Sequence, residues 1–381
     1  TLDNPPGAKQ LRGAKPIWVE PTLIAEVEHR GRTGDKLLRQ ASFKGLRPDK
    51  DIEGLMPQAG LRSNSKPSTT RAASKSVAAA SAKRSSKNAP GEIVLTHPDR
   101  VLIDKPRVTK RELADYYRSI ADHLLPGLID RPLATVRCPD GIGKECFFQK
   151  HAMAGMPASL RVVELRNKRG GREGHLYVEG IEGVIGLVQM NVIEIHPWGS
   201  TVDDIEHPNR LVFDLDPAPG VRWADVAAGA RVLRKRLEAV GLQSFLRTTG
   251  GKGLHVVVPL NPRPDWNTAK AFAHALARTL ESEAPDKYLS VATKSKRRGR
   301  IFIDYLRNAR GATAVASYCV RARRGAGVAT PLRWEELSRL RSGDQYTIEN
   351  ILARLKRMKT DPWQGIDTLK QALPKAPRSY Y

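Results

Sequence analysis

Along the second half of the chain, apolar and polar positions alternate and then recur at helical spacing, in an order that reads as an α/β arrangement. Leu211 to Asp216 alternates with a period of two, so Leu211, Phe213 and Leu215 share one face of a predicted strand and Asp214 and Asp216 share the other. Asp225 to Val240 carries apolar residues at helical spacing and is closed by Gly241, a residue suited to the left-handed position that ends many helices. Gln243 to Arg247 is predicted as a second strand, followed by a glycine-rich turn and a third strand from Leu254 to Val258. A helix over Asn267 to Ser282 and a strand over Arg300 to Leu306 complete the series. Upstream, Thr109-Lys110-Arg111-Glu112 has the form of a capping box, and Leu113, Tyr116, Tyr117, Ile120 and Leu124 continue it as one helix that Pro126 stops.

The pattern fails in one long stretch. After Leu61, residues up to 90 are rich in Ser, Ala, Lys and Pro and nearly lack large apolar side chains, too little to offset the entropy of ordering. Three zones follow: residues 1–50, with a strand-like run from Ile17 to Val27 and a basic, turn-rich segment from Ser42 to Lys50; a disordered linker over 51–90; and one continuous α/β domain over 91–381. No internal repeat is evident.

Charge narrows the choice of partner. The 381 residues carry a formal net charge of +24, which points to a polyanion and most economically to nucleic acid. Between Leu61 and Pro90 there are seven Lys and Arg and no acid, and removing those seven cations still leaves +17 on the remainder. The folded part is therefore itself basic. No apolar run approaches the ~20 residues that span a bilayer, and no signal-peptide pattern is visible, so a cytoplasmic protein with no membrane association is expected. Cys138, Cys146 and Cys319 form neither CxxC pairs nor an even disulfide framework, which fits a reducing compartment and argues against structural zinc. The chain begins at Thr1 without an initiator methionine, as a piece of a longer protein would.

The candidate chemistry lies on the alternating strands. Asp214 and Asp216 project together, and two adjacent carboxylates favour a cation between them. Hard oxygen ligands of this kind suit Mg²⁺ or Mn²⁺ carrying a nucleotide's phosphates, although an isolated Asp-x-Asp is more often a solvated strand end. Asp304, the one carboxylate in the apolar strand Ile301-Phe302-Ile303-Asp304-Tyr305, changes the balance. Three carboxylates on neighbouring strands can hold two metals roughly 3.5–4 Å apart and stabilise both the attacking and the leaving oxygen of phosphoryl transfer. The turn Thr248-Thr249-Gly250-Gly251-Lys252-Gly253 offers backbone N–H groups and a lysine to phosphates without being a Walker A loop, and His255 lies just beyond it. Lys110, in the first turn of its helix, is placed for an anion at the free N–H groups there. Arg137 and Lys144 flank a turn before the exposed-looking pair Phe147-Phe148, a mixture of cations and aromatics that suits stacked bases, with core packing of the pair the equal alternative. Lys294, Lys296, Arg297 and Arg298 read as a solvated, phosphate-tracking patch, and Arg321 and Arg323 as a pair sharing one face of a strand-like run.

These words, in this order, resemble a known family. Thr96-His97-Pro98-Asp99-Arg100, Arg137-Cys138-Pro139-Asp140-Gly141, Phe147-Phe148-Gln149-Lys150-His151, Glu194-Ile195-His196-Pro197-Trp198-Gly199, Phe213-Asp214-Leu215-Asp216-Pro217, Thr249-Gly250-Gly251-Lys252-Gly253-Leu254-His255 and Asp304-Tyr305-Leu306-Arg307-Asn308 are similar to the polymerase domain of bacterial LigD, of the archaeo-eukaryotic primase superfamily. The resemblance implies an α/β (α+β) primase-like core with central mixed or antiparallel sheets flanked by helices. It implies metal-binding catalytic acids Asp214, Asp216 and Asp304, with His196, Thr249, Lys252, His255, Arg321 and Arg323 on the incoming NTP or dNTP. It further implies Lys110 at the 5′-phosphate of a gap, Phe147 and Phe148 stacking at the template, and Arg137 in place of a second phosphate-binding lysine that falls near Val136. Family members use Mn²⁺ or Mg²⁺, prefer ribonucleotides and work beside the end-binding protein Ku in non-homologous end joining. A monomer acting on DNA ends at the bacterial nucleoid is expected.

Residues 1–50 resemble the end of an ATP-dependent ligase OB domain through Trp18-Val19-Glu20-Pro21, Ala25-Glu26-Val27 and Ser42-Phe43-Lys44-Gly45-Leu46-Arg47-Pro48-Asp49-Lys50, an incomplete OB-like β segment. No KxDG adenylation lysine is present, so nick sealing by this chain alone is not expected. Two alternatives stay open: part of a multifunctional ATP-dependent ligase, and a non-catalytic DNA-binding module.

Overall fold

The computed structural model describes residues 25–28, 42–46, 93–153, 155–167 and 170–374. The chain divides into two compact units, Thr1–Arg84 and Ser85–Tyr381. In the first, strands β1 (Ala25–Glu28) and β2 (Ser42–Leu46) pair antiparallel with a bulge between Glu26 and Val27. The segment from Ser42 read as turn-rich is thus in part a strand; Phe43 supplies the β-favouring residue amid polar ones. The expected strand before Ala25 and the 51–90 linker lie outside the described residues.

The second unit opens with a small ladder, β3 (Val101–Ile103) and β4 (Val108–Thr109), that delivers the chain into helix α1 (Lys110–Ser119). The capping box forms as expected: Thr109 Oγ1 accepts from Glu112 N at 3.2 Å while Thr109 N donates to Glu112 Oε2 at 2.7 Å. The single helix expected as far as Leu124 is instead broken at Ile120, whose φ/ψ of −117°/16° leaves the helical region, and restarts as α2 (Ala121–Leu124). Ile120 is fully buried, so core packing overrides helical continuity there.

A five-stranded sheet follows, built from β5 (Leu133–Arg137), β6 (Phe147–Gln149), β7 (Arg161–Arg166), β8 (Arg172–Tyr177) and β9 (Val192–Pro197), with α3 (Ile181–Gln189) between the last two. β5 is its hub, pairing antiparallel with β6, β8 and β9. Leu113, Tyr117, Val184, Leu187, Leu133 and Ile195 are among the side chains that bury the faces of α1 and α3 against it. Cys138, at the end of β5, is disulfide-bonded to Cys146, immediately before β6. This corrects the expectation of no disulfide: the two cysteines sit eight residues apart across a turn, a spacing that neither CxxC nor an even count reveals.

The six-stranded sheet is ordered β13-β14-β10-β12-β11-β15, from β10 (Arg210–Pro217), β11 (Phe245–Thr248), β12 (Leu254–Pro259), β13 (Tyr288–Leu289), β14 (Ile301–Asp304) and β15 (Pro331–Leu332). Its pairs are antiparallel except β13 with β14, so the sheet is mixed. Helices α4 (Trp223–Ala239) and α5 (Trp266–Glu283) cover one face, where Leu211, Phe213, Leu215, Leu254, Val256, Val258, Ile301 and Ile303 meet Ala230, Leu233, Ala273 and Ala277. Each such large side chain contributes about 1.5–3 kcal/mol on leaving water. α4 ends as its sequence indicates, with Gly241 at φ +78° and Leu242 N donating to Leu237 O at 2.9 Å. A last helix, α6 (Ile351–Arg357), packs Ile351 into the first core.

The strand expected to run to Leu306 stops at Asp304. Asp304 Oδ1 accepts from Leu306 N at 3.0 Å and turns the chain into a 3-10 segment, Leu306–Asn308. The Asn308 side chain then takes over the pairing with β10, accepting from Val212 N at 2.7 Å and donating to Val212 O at 2.9 Å.

Candidate active site

Asp214 faces away from α4 and α5, because the alternation that sends Phe213 and Leu215 under the helices sends Val212, Asp214 and Asp216 the other way. Register then assembles a row. Asp214 is directly opposite Asp304 on β14 and directly opposite His255 on β12, and His255 is opposite Arg247 on β11. Asp216 follows Asp214 on the same face, one rung on. The three sequence-predicted acids are therefore neighbours.

Cations surround them. Arg307 places NH2 3.2 Å from Asp214 Oδ2 and Nε 3.1 Å from Asp304 Oδ2. Asp216 receives Lys252 Nζ at 2.9 Å and Arg297 NH1 at 2.8 Å. Arg297, read from sequence as part of a solvated patch, belongs instead to this site, its guanidinium lying 4.2 Å over the Phe302 ring. Burial raises the Asp214 carboxyl, but His255, Arg307 and Arg321 outweigh it and hold Asp214 well below the usual carboxylate range. Burial raises Asp304, with Arg307 opposing and Asp214 adding to the rise. Arginine is always a donor, so the 2.8 Å contact of Arg247 NH2 with His255 Nδ1 makes that nitrogen an acceptor. The proton of neutral His255 is then on Nε2, which faces Asp214 Oδ1 at 3.5 Å. Burial keeps the ring neutral, its pKa lowered to about 4.

Beside the acids opens a cleft of about 180 Å³ lined by His196, Asp214, Asp216, Thr249, Gly251, Lys252, Gly253, His255, Arg307, Arg321 and Arg323. Every residue that the resemblance assigns to the incoming nucleotide thus lines one cavity. The turn from β11 to β12 forms its floor. Thr249 Oγ1 accepts from Gly253 N at 3.2 Å, which closes the turn on itself. Gly250 has φ +65°, and a Cβ at Gly253 would run into the Leu215 carbonyl oxygen, so the glycines are required by geometry. Arg321 and Arg323 reach the cleft from an irregular loop rather than from the strand expected. Arg321 donates to Thr249 O at 2.6 Å and lies 3.0 Å from Glu194 Oε1. Glu194 also holds His196 Nε2 at 2.8 Å. Burial raises the Glu194 carboxyl, but His196 and Arg321 outweigh it and bring it down to about 2, while burial lowers His196.

The remaining predicted residues form two further groups. Lys110 is only 3% exposed, with Nζ 3.0 Å from Thr96 O. Burial, then Arg100 and Arg137, lower it to about 8. The first N–H groups of α1 are not free, contrary to expectation: Lys110 N bonds Arg100 O at 2.8 Å and Arg111 N bonds Pro98 O at 2.9 Å, because the incoming β4 strand folds the 97–100 turn over the helix end. Charge rather than open amides is what this place offers an anion. Phe147 and Phe148 are 43% and 60% exposed, which settles them as surface aromatics. The Arg137 guanidinium stands 5.9 Å over Phe147, and Phe148 tilts against His196 with ring centres 5.5 Å apart. The exposed aromatic pair therefore abuts the cleft.

Arg307, Glu194 and Arg247 carry no individual role in the sequence reading, and Arg297 is placed by it in a solvated patch. Two of these had a signal: Arg307 falls three residues after Asp304 across a turn, and Glu194 precedes His196 by two on one strand face.

The three carboxylates are the donor type that a divalent metal takes, oxygen on rigid strands, and basic side chains stand against each of them. Residues 109–363 match the LigD primase-polymerase domain family, and residues 2–50 match the C-terminal region of ATP-dependent DNA ligases. The multifunctional non-homologous end joining protein LigD of Pseudomonas aeruginosa is 37% identical over 369 residues, covering 95% of this chain and 42% of that protein. Its counterpart in Mycolicibacterium smegmatis is 33% identical over 246 residues, 64% of this chain and 32% of its own length. The solved polymerase domain of Mycobacterium tuberculosis Ligase D in complex with DNA superposes with a TM-score of 0.67 at 30% identity, over 73% of this chain and 99% of that one. The chain spans less than half the length of these curated relatives.

Proposed function

The chain belongs to the LigD primase-polymerase family, and we propose that it performs metal-dependent nucleotidyl transfer, adding NTP or dNTP to DNA 3′ ends and across gaps during non-homologous end joining. One observation carries the reading: Asp214 and Asp216 line the cleft formed by the glycine turn, and Asp304 stands directly opposite Asp214 on the adjoining strand. Asp214, Asp216 and Asp304 would hold Mg²⁺ or Mn²⁺. Bound there, two cations supply charge neutralisation for the attacking and leaving oxygens of an in-line displacement.

The protein's own residues do the positioning. Lys252, Arg321 and Arg323 converge on the cleft with the glycine-turn amides and match the charge of a triphosphate. Arg307 withdraws from Asp214 and Asp304 to release their oxygens, and is then free to meet phosphate. His255, fixed by Arg247, keeps a neutral N–H toward Asp214 and so orients the ionised carboxylate without adding a charge of its own. Phe148, against His196, provides a stacking surface for a base next to the incoming nucleotide. A 5′-phosphate across a gap would meet the Arg100, Arg137 and Lys110 cluster, with Lys110 adding charge from beneath. The partners are DNA ends and, by family kinship, Ku; the protein is expected to act as a monomer.

The test is primer extension on a gapped duplex with a 5′-phosphate, comparing rNTP with dNTP and Mg²⁺ with Mn²⁺. Addition that stops on chelation supports the reading; addition indifferent to EDTA overturns it. Residues 2–50 raise a ligase reading, which predicts a covalent adenylated lysine after incubation with ATP. Mass spectrometry finding no adduct eliminates that alternative for this chain.

A further inference from the structure

A second group of potential ligands lies outside the cleft. His151, just past β6, forms an isolated antiparallel bridge with His175 of β8, and Glu173 is two residues before His175 on the same strand face. The ligating atoms of His151, Glu173 and His175 all lie within 4.8 Å of one another. None of the three lines the catalytic cleft.

Two details suit a metal rather than a chance grouping. His175 Nδ1 is buried and has no hydrogen-bond partner among the described residues, a polar atom left unsatisfied unless something binds it. Glu173 is already oriented: Oε1 accepts from Asn167 Nδ2 at 2.8 Å, while Oε2 points toward His151 Nε2 at 3.8 Å. Such outer hydrogen bonds are how carboxylate ligands are held in metal sites. The nearby positive charges are Lys150 and Arg310, and the second is taken up by Glu206, whose carboxylate meets its Nε and NH2 at 2.7–3.0 Å.

We propose that His151, Glu173 and His175 form a binding site for a zinc-class divalent cation, separate from the catalytic carboxylates, that ties the end of β6 to β8. Two imidazoles and one carboxylate select borderline ions such as Zn²⁺ and Co²⁺ over Mg²⁺. A ligand completing the coordination comes from solvent, because His151 and Glu173 are about half exposed. The consequence falls on the exposed aromatic pair: fixing His151 fixes the strand that presents Phe148 three residues earlier.

Zn²⁺ titration of the whole chain by calorimetry, with Co²⁺ absorption in the visible, tests this. One equivalent that persists in Asp214→Asn is expected, its affinity falling at least tenfold in His151→Gln and in Glu173→Gln, both at half-exposed positions. Trp198, whose ring centre is 5.4 Å from that of His175, supplies an independent signal: Co²⁺ should quench part of the tryptophan fluorescence in the wild type and not in His151→Gln. Equal affinity and equal quenching in the wild type and both variants, or binding abolished by Asp214→Asn alone, overturns the proposal.

Discussion

Asp214 and Asp304 are directly opposed across the β10–β14 ladder, and one guanidinium, that of Arg307, contacts both at 3.2 and 3.1 Å. Facing carboxylates repel, and Arg307 offsets that repulsion from within the chain. A divalent metal must displace that contact to bind. Arg307→Gln should therefore tighten Mn²⁺ binding about tenfold, equivalent to about 1.4 kcal/mol, and make thermal stability more dependent on added Mn²⁺. Electron paramagnetic resonance titration of free Mn²⁺ reads the first effect. Unchanged affinity would show that Arg307 does not compete for these oxygens.

Lys110 beneath Arg100 and Arg137 gives the second prediction. Lys110→Gln should reduce the advantage conferred by a 5′-phosphate on gapped DNA by about threefold to tenfold, the size of one lost charge contact, while leaving extension of simple primer ends intact. The sign of the pH effect follows from a lysine lowered to about 8: it is charged below that value and loses its charge above it. The 5′-phosphate advantage should thus decline between pH 7 and pH 9 in the wild type and stay flatter in the variant, as binding assays on the two gapped substrates would record. Equal losses on both substrates would make Lys110 a structural residue.

Phe147 and Phe148 are exposed, so truncating them leaves the core unchanged. Phe148→Ala should weaken binding of DNA with an unpaired template base by about 1–3 kcal/mol, the worth of one stacked base, with little change in melting temperature. Fluorescence anisotropy on gapped against fully paired DNA separates the two; an equal loss on both would argue against stacking.

The contact of Arg247 with His255 assigns a tautomer. Nitrogen-15 NMR should find His255 neutral at pH 7 with the proton on Nε2, and Arg247→Met should allow the Nδ1–H form to appear. A protonated Nδ1 in the wild type would contradict the geometry at 2.8 Å.

Much of this was legible along the chain because it depends on short-range spacing. The alternation from Leu211 to Asp216 placed two carboxylates on one face, the Thr109–Glu112 pattern began a helix where one begins, and Gly250 to Gly253 marked the turn that lines the cleft. What escaped depends on register between distant strands. Arg247 meets His255 only because β11 and β12 pair in that register, and Arg297 reaches Asp216 across 81 residues. The break at Ile120 escaped because it is set by burial against the core, and the Cys138–Cys146 bond because it needs the turn between them to close.

In the proposed function the Asp214, Asp216 and Asp304 carboxylates carry nucleotide addition. Single-turnover extension of a gapped, 5′-phosphorylated duplex with Mn²⁺, by the wild type and by Asp304→Asn, tests it most directly when gap binding is followed in the same samples. The expected outcome is addition slowed by about a thousandfold or more, about 4 kcal/mol on the barrier, with DNA affinity within about threefold of wild type. Extension by Asp304→Asn at a rate near wild type would show that these carboxylates do not carry the reaction.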